Sequence, residues 1–380
     1  MRRVFVSLFV LTLSLTSAAR LSGQPRAGTA DLAANAALKY WQAFAHMPPR
    51  NDEQQRRLGD WRATPLDAQA RRLVADSQNS FLYLRRGAAL PRCDWSLNYE
   101  DGIGLLLPQL DRSRTLTLLA CLRARLALAD GHPADAVDDI LAVFALGRHI
   151  ADPIMVSLLV DYSLEHNAID AVAMMLPKLD AAALRRIADR LDALPTAGTL
   201  EQTLVTERDY FTSWAIRWLK EQEQSGGGNL RAKVKELMVG SEDADEILRL
   251  VDDKSAKRLI EALEELAPFF EEQRRLVSLP REQFLAQWPE LEKRQSANVT
   301  AKAMLPSVIK VVDARDRYRA RFAMLKAAVA VARDGQAALA KHNDPFGQGP
   351  FEYKATPKGF ELRSKLTLEG KPVTVTIGVP

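Results

Sequence analysis

LTLLACLRARLALADGHPADAVDDILAVFALGRHI, residues 116–150, decides the fold. Leu116, Leu119, Leu122 and Leu126 recur at three- and four-residue spacing, which lines up one apolar face of a helix. Asp111 is placed to cap the start of that helix, and Gly131 to close it after Asp130. Pro133 suits the first turn of a following helix, whose buried face is Ala136, Val137, Ile140 and Phe144. A Gly-His-Pro connection is too short for anything but antiparallel neighbours. The unit is a helical hairpin.

The same reading extends in both directions. Residues 29–47 carry Leu32, Ala36, Tyr40 and Phe44 at helical spacing and stop at Pro48-Pro49. Ala151–Met175, Asp180–Ala193 and Leu200–Gln224 continue the helical series, and Gly226-Gly227-Gly228 breaks it. Residues 229–296 are rich in Glu, Lys and Arg and are punctuated by Gly240 and Pro280; runs such as RLIEALEELAPFFEEQRR read as solvated helix surfaces. Helix resumes over about 300–341. From there the period falls to two: Phe351 and Tyr353, Phe360 and Leu362, then Val373, Val375 and Ile377, separated by turn residues at 356–359 and 369–371. Three such strands hold together only when packed against something.

The expected architecture is therefore mostly α: an irregular stack of antiparallel helical hairpins with a small C-terminal antiparallel β-meander. Its parts are a signal peptide at 1–19, a helical-hairpin domain at 28–225, a charged helical insertion at 229–296, helices returning to the main domain at 297–343, and a β-meander tail at 344–380.

The N-terminus reads as an export signal. Arg2 and Arg3 precede an apolar run from Val4 to Leu15, and Thr16-Ser17-Ala18-Ala19 suits cleavage after Ala18 or Ala19. The run is shorter than the roughly 20 residues of a membrane span. The expected location is extracytoplasmic, periplasmic or secreted, in a bacterium, with membrane contact only through this segment if it stays uncleaved. Without Arg2 and Arg3 the formal charge falls from +4 to +2. Basic residues alternate with acidic ones and form no concentrated basic face, which argues against a nucleic-acid partner.

The 116–150 unit resembles a single tetratricopeptide-type hairpin, with Gly131 at the turn and small Ala136 where two helices approach closely. No 34-residue period accompanies it, so no regular array is expected. A wider resemblance covers about a third of the chain in patches. CDWSLNYEDGIGLLLPQL (93–110), the hairpin after it and NDPFGQGPFEYKATPKGFELRSK (343–365) are together similar to a family of uncharacterised exported bacterial helical proteins. Asp344, Pro345, Phe346 and Pro350 match that family's Asp-Pro-Phe-x-Gly-x-Pro tail, and Gln348 stands at its glycine position. The tail also resembles the C-terminal end of type II secretion pseudopilins, without their N-terminal methylated helix. The family resemblance implies architecture and no activity.

Chemistry-bearing residues are sparse. Cys93 and Cys121 are the only cysteines, 28 positions apart; in an oxidising compartment they are either a disulfide pair or two separately buried thiols. Asp94, Asn98, Glu100 and Asp101 crowd one stretch, but without the alternating oxygens of a calcium loop. The expected role of that stretch is structural, with the carboxylates in turns and Trp95 in the core. In DYSLEHNAID (161–170), Glu165, His166 and Asp170 offer an acid/base grouping, but too few ligands for a metal. ERDYFTSWAIRWL (207–219) stacks Phe211, Trp214 and Trp218 at helical intervals beside Tyr210; Tyr40, Trp41 and Phe44 form a second stripe. Each stripe is either core or the lining of an apolar groove. Phosphate-cradling, Gly-x-Ser-x-Gly, His-Glu-x-x-His and Cys-x-x-Cys motifs are absent. The expectation is a non-catalytic binding or scaffold protein for a protein or peptide, without cofactor or metal. The alternatives are a hydrolase-type enzyme using Glu165, His166 and Asp170, or an accessory component of a secretion or surface system.

Overall fold

A computed structural model of the chain describes residues 34–151, 153–225, 229–238 and 243–378. The expected signal peptide, the portion of 29–47 containing Leu32, the Gly226-Gly227-Gly228 break and Gly240 lie outside them. Short polar residues start the first helices. Asn35 Oδ1 accepts the Ala37 N–H at 3.1 Å to begin α1 (Ala36–Ala45). Asn51 and Gln54 form a reciprocal capping box on α2 (Asp52–Gly59), and Asp67 caps α3 (Ala68–Ala75), which leads to α4 (Gln78–Ala88).

The decisive hairpin is α5 (Pro108–Ala129) followed by α6 (Pro133–Ile150), each entered through a proline. Pro108 supplies the start expected of Asp111, which sits inside the first turn instead. Gly131 adopts φ 81°, the His132 N–H reaches the Ala127 carbonyl at 2.8 Å, and the Gly131 N–H reaches Leu128 at 3.4 Å. That pair of bonds is a left-handed helix closure, which favours glycine.

The chain continues through α7 (Met155–Met175), α8 (Ala181–Asp192) and α9 (Leu200–Thr206). A π-helical turn, Glu207–Thr212, then widens the coil before α10 (Ser213–Gln224). Next come α11 (Leu230–Leu237), α12 (Ala244–Leu248), α13 (Lys257–Glu264), α14 (Ala267–Val277), α15 (Arg281–Ala297) and α16 (Val299–Met304), and then the long α17 (Val308–Asp334). The meander is β1 (Glu352–Thr356), β2 (Gly359–Leu368) and β3 (Lys371–Ile377), antiparallel in that order, with Phe360 opposite Ile377 and Leu362 opposite Val375. Glu369 and Gly370 turn the second hairpin with φ 52° and 74°. Asp344 ties the tail down: buried, it accepts from Ser364 Oγ at 2.8 Å, the Lys365 N–H at 2.6 Å and the Phe346 N–H at 3.0 Å.

Apolar side chains gather into two cores. The first joins α1–α8, the end of α17 and the inner face of the meander. The second joins Met155, Leu158 and Tyr162 of α7 to α9 through α16 and the first half of α17. Residues 229–296 thus put Leu230, Val234, Ile247, Leu259, Phe270 and Phe284 into a shared interior, with their charges facing outward. They share it with 200–219, so the division of packing does not fall at the glycine break. α7 and α17 run through both cores.

Candidate functional site

The π turn and α10 build one wall of an apolar pocket of about 410 Å³, within the roughly 300–1,000 Å³ typical of ligand sites. Phe211, Trp214 and Trp218 line it as a stripe, and the two indoles stack with centroids 6.1 Å apart. Val234 and Leu237 from α11 with Met238 just after it, Leu259 and Leu263 from α13, and Phe270 from α14 close the far side. Met304, Pro306 and Ile103 complete the margin. Glu207 and Thr212 are its polar lining. Three margin residues stay open to solvent: Ile103 is 51% exposed, Leu237 39% and Met304 36%.

Residues 93–104 link the first core to this wall. Trp95 is buried in the first core, donates its Nε1–H to the His149 carbonyl at 2.8 Å, and stacks against Tyr40 and Phe44. A few residues on, Tyr99 stacks on Tyr210 at 4.5 Å, and Gly102 lies directly under Trp214: a Cβ there would sit 2.0 Å from the indole. The carboxylates of this stretch act locally, as Asp94 Oδ1 accepting the Ser96 N–H at 2.8 Å illustrates.

Of the two aromatic stripes, the one in 207–219 lines this pocket. Tyr40 and Phe44 belong to the first core, because α1 packs that face on α4 and Trp95; Trp41 alone of the three reaches solvent. The disulfide reading is likewise corrected: no bond joins Cys93 and Cys121. Cys121 is fully buried on α5, its Sγ 3.8 Å from the Asn167 carbonyl, and burial pushes its thiol pKa well up. A thiol so held is a poor nucleophile.

Glu165, His166 and Asp170 do not converge. Glu165 turns into the interior, where its Oε1 lies 2.5 Å from Arg148 Nε, and Arg148 also bonds the Tyr318 hydroxyl. Asp161 sits one turn before it, buried against Gly147. Burial raises the pKa of both carboxyls, and for Asp161 the neighbouring Glu165 charge raises it further. Asp170 is taken by Arg62, with Nε to Oδ2 at 2.9 Å, and by Arg321. His166 Nδ1 faces its own helix at the Tyr162 carbonyl, 2.5 Å away. Among the described residues, no three His, Cys, Asp or Glu side chains gather as metal ligands.

Two histidines, buried His149 and half-buried His166, set a pH dependence. Desolvation lowers the pKa of both His149 and His166 to about 4. The unfolded chain, with histidine near 6.5, therefore binds more protons than the folded one across that interval. Stability is expected to fall as pH drops from about 6.5 to about 4, and His149→Gln should flatten the fall in urea titrations followed across that range.

Sequence reasoning missed Glu207, Ile103, Leu237 and Met304. Leu237 and Met304 sit in charged or short helices, and only the chain's return past α10 brings them together. The chain matches no family model, curated protein or solved structure. The pocket's own chemistry must carry the functional reading.

Proposed function

We propose that the protein is an extracytoplasmic, non-catalytic binding protein that holds a protein or peptide partner by seating a large apolar side chain in the 207–219 pocket. One observation carries this reading: the apolar lining continues outward into exposed Ile103, Leu237 and Met304. Apolar area removed from water is worth about 25 cal/mol per Å². A small molecule enclosed in the cavity leaves that margin wet, whereas a chain lying across it covers cavity and margin together. Methionines at such a margin repack around differently shaped side chains. The frame supports a passive role as well, since Glu165 and Asp170 are engaged by arginines. The export component rests on Arg2-Arg3, the apolar run Val4–Leu15 and the small residues 16–19.

The test compares capture from extracytoplasmic extract by the wild-type chain and by Leu237→Glu/Met304→Glu, with circular dichroism establishing that the variant is folded. Wild type should enrich a partner that the variant loses. Equal recovery by both, or nothing above background, rejects the reading. The intact mass of exported protein should begin after Ala18 or Ala19; a mass retaining Met1 removes the export component.

A further inference from the structure

Among the described residues, Glu207 is the one ionisable side chain in the pocket lining. The π turn places it four residues before Phe211, and both face the same cavity. Its Oε1 accepts the N–H of Met155, the first residue of α7, at 2.9 Å. Helix amino ends favour negative charge there. An ionised carboxylate has about four acceptor positions, so this single bond leaves capacity for a donor brought by a ligand. Apolar surroundings make an uncompensated charge costly, and burial accordingly raises the Glu207 pKa. A cation arriving with the ligand offsets that cost. The indole faces of Trp214 and Trp218 add attraction for the same kind of group.

We infer that the peptide segment seated in the pocket carries a basic side chain beside its apolar anchor, received by Glu207 among Phe211, Trp214 and Trp218; this rests on the binding role proposed above. A segment with an acidic residue at that position meets like charge in apolar surroundings and is rejected.

The experiment titrates the full chain with short synthetic peptides of one length, each bearing a central Leu-Phe pair flanked by lysine, by acetyllysine or by glutamate. Binding is read from the fluorescence of the protein's tryptophans. The lysine peptide should bind about tenfold tighter than the glutamate peptide, the value of one charge-assisted hydrogen bond, with acetyllysine between them. Glu207→Gln keeps an acceptor for the Met155 N–H and removes the charge; it should erase the lysine preference while apolar-dependent binding remains. Equal binding of the three peptides to wild type, or a preference that survives Glu207→Gln, overturns the inference and leaves the pocket's binding role standing. Absence of binding by every peptide overturns both.

Discussion

Arg148→Met is expected to destabilise the protein by about 3–5 kcal/mol at neutral pH, among the largest effects of any single substitution. Arg148 lies between the two cores, paired to Glu165 and bonded to Tyr318, with its guanidinium over the Phe322 ring at 5.5 Å. Methionine fills much of the volume and removes the cation, leaving Glu165 charged in an interior that supplies no replacement. The sign of the pH dependence follows. A carboxyl whose folded pKa is raised contributes stability that is fully present below its unfolded value and lost as pH rises through the folded value. Removing Arg148 raises the Glu165 pKa further, so the penalty should grow with rising pH. It should be smallest in acid well below the unfolded carboxyl's value of about 4.3, where the group is protonated whether or not the chain is folded. Arg148→Met/Glu165→Gln should recover most of the loss, because an uncharged pair of similar volume is far cheaper to bury. Urea titrations of the single and double variants at acid and alkaline pH decide the matter. A penalty independent of pH, or no recovery in the double variant, would show that Arg148 acts by packing alone.

Gly102→Ala should cost about 2–4 kcal/mol through two independent effects. The residue adopts φ 56° and ψ −124°, a mirror-image extended conformation open in practice to glycine. The added Cβ also meets the Trp214 ring at 2.0 Å, and an indole held by Trp218 and the pocket wall has little room to yield. The turn 99–104 should lift from Trp214, carrying Ile103 away from the pocket margin. The measurable signature is a lowered thermal midpoint together with a red-shifted tryptophan emission. Gly104→Ala serves as the control, since a Cβ there meets nothing within 4 Å. Equal effects at the two glycines would break the link between this turn and Trp214.

Local patterns foretold local structure. The 116–150 hairpin was legible because each part of it, the leucine face, Gly131 and Pro133, acts within a few residues. The meander was legible for the same reason: alternation places Phe360, Leu362, Val373 and Val375 on one face, and Glu369-Gly370 turns the chain. The candidate site was half legible. Phe211, Trp214 and Trp218 stood out as a stripe, but so did Tyr40, Trp41 and Phe44. Apolar spacing marks the face of a helix that leaves water and says nothing of whether a core or a groove receives it. The π turn that aims Glu207 and Phe211 together leaves no mark in the periodicity.

By itself, then, the sequence determined the helices, their antiparallel turns and the closing strands, since these follow from propensity, capping and period over short distances. Tertiary structure alone decided that Gly102 would lie under Trp214, that Glu165 would meet Arg148 and not Asp170, and that residues 229–296 would close over the 207–219 aromatics. Those pairings join positions far apart along the chain, where only the competition for buried volume, with each charge seeking a partner, selects one neighbour from many.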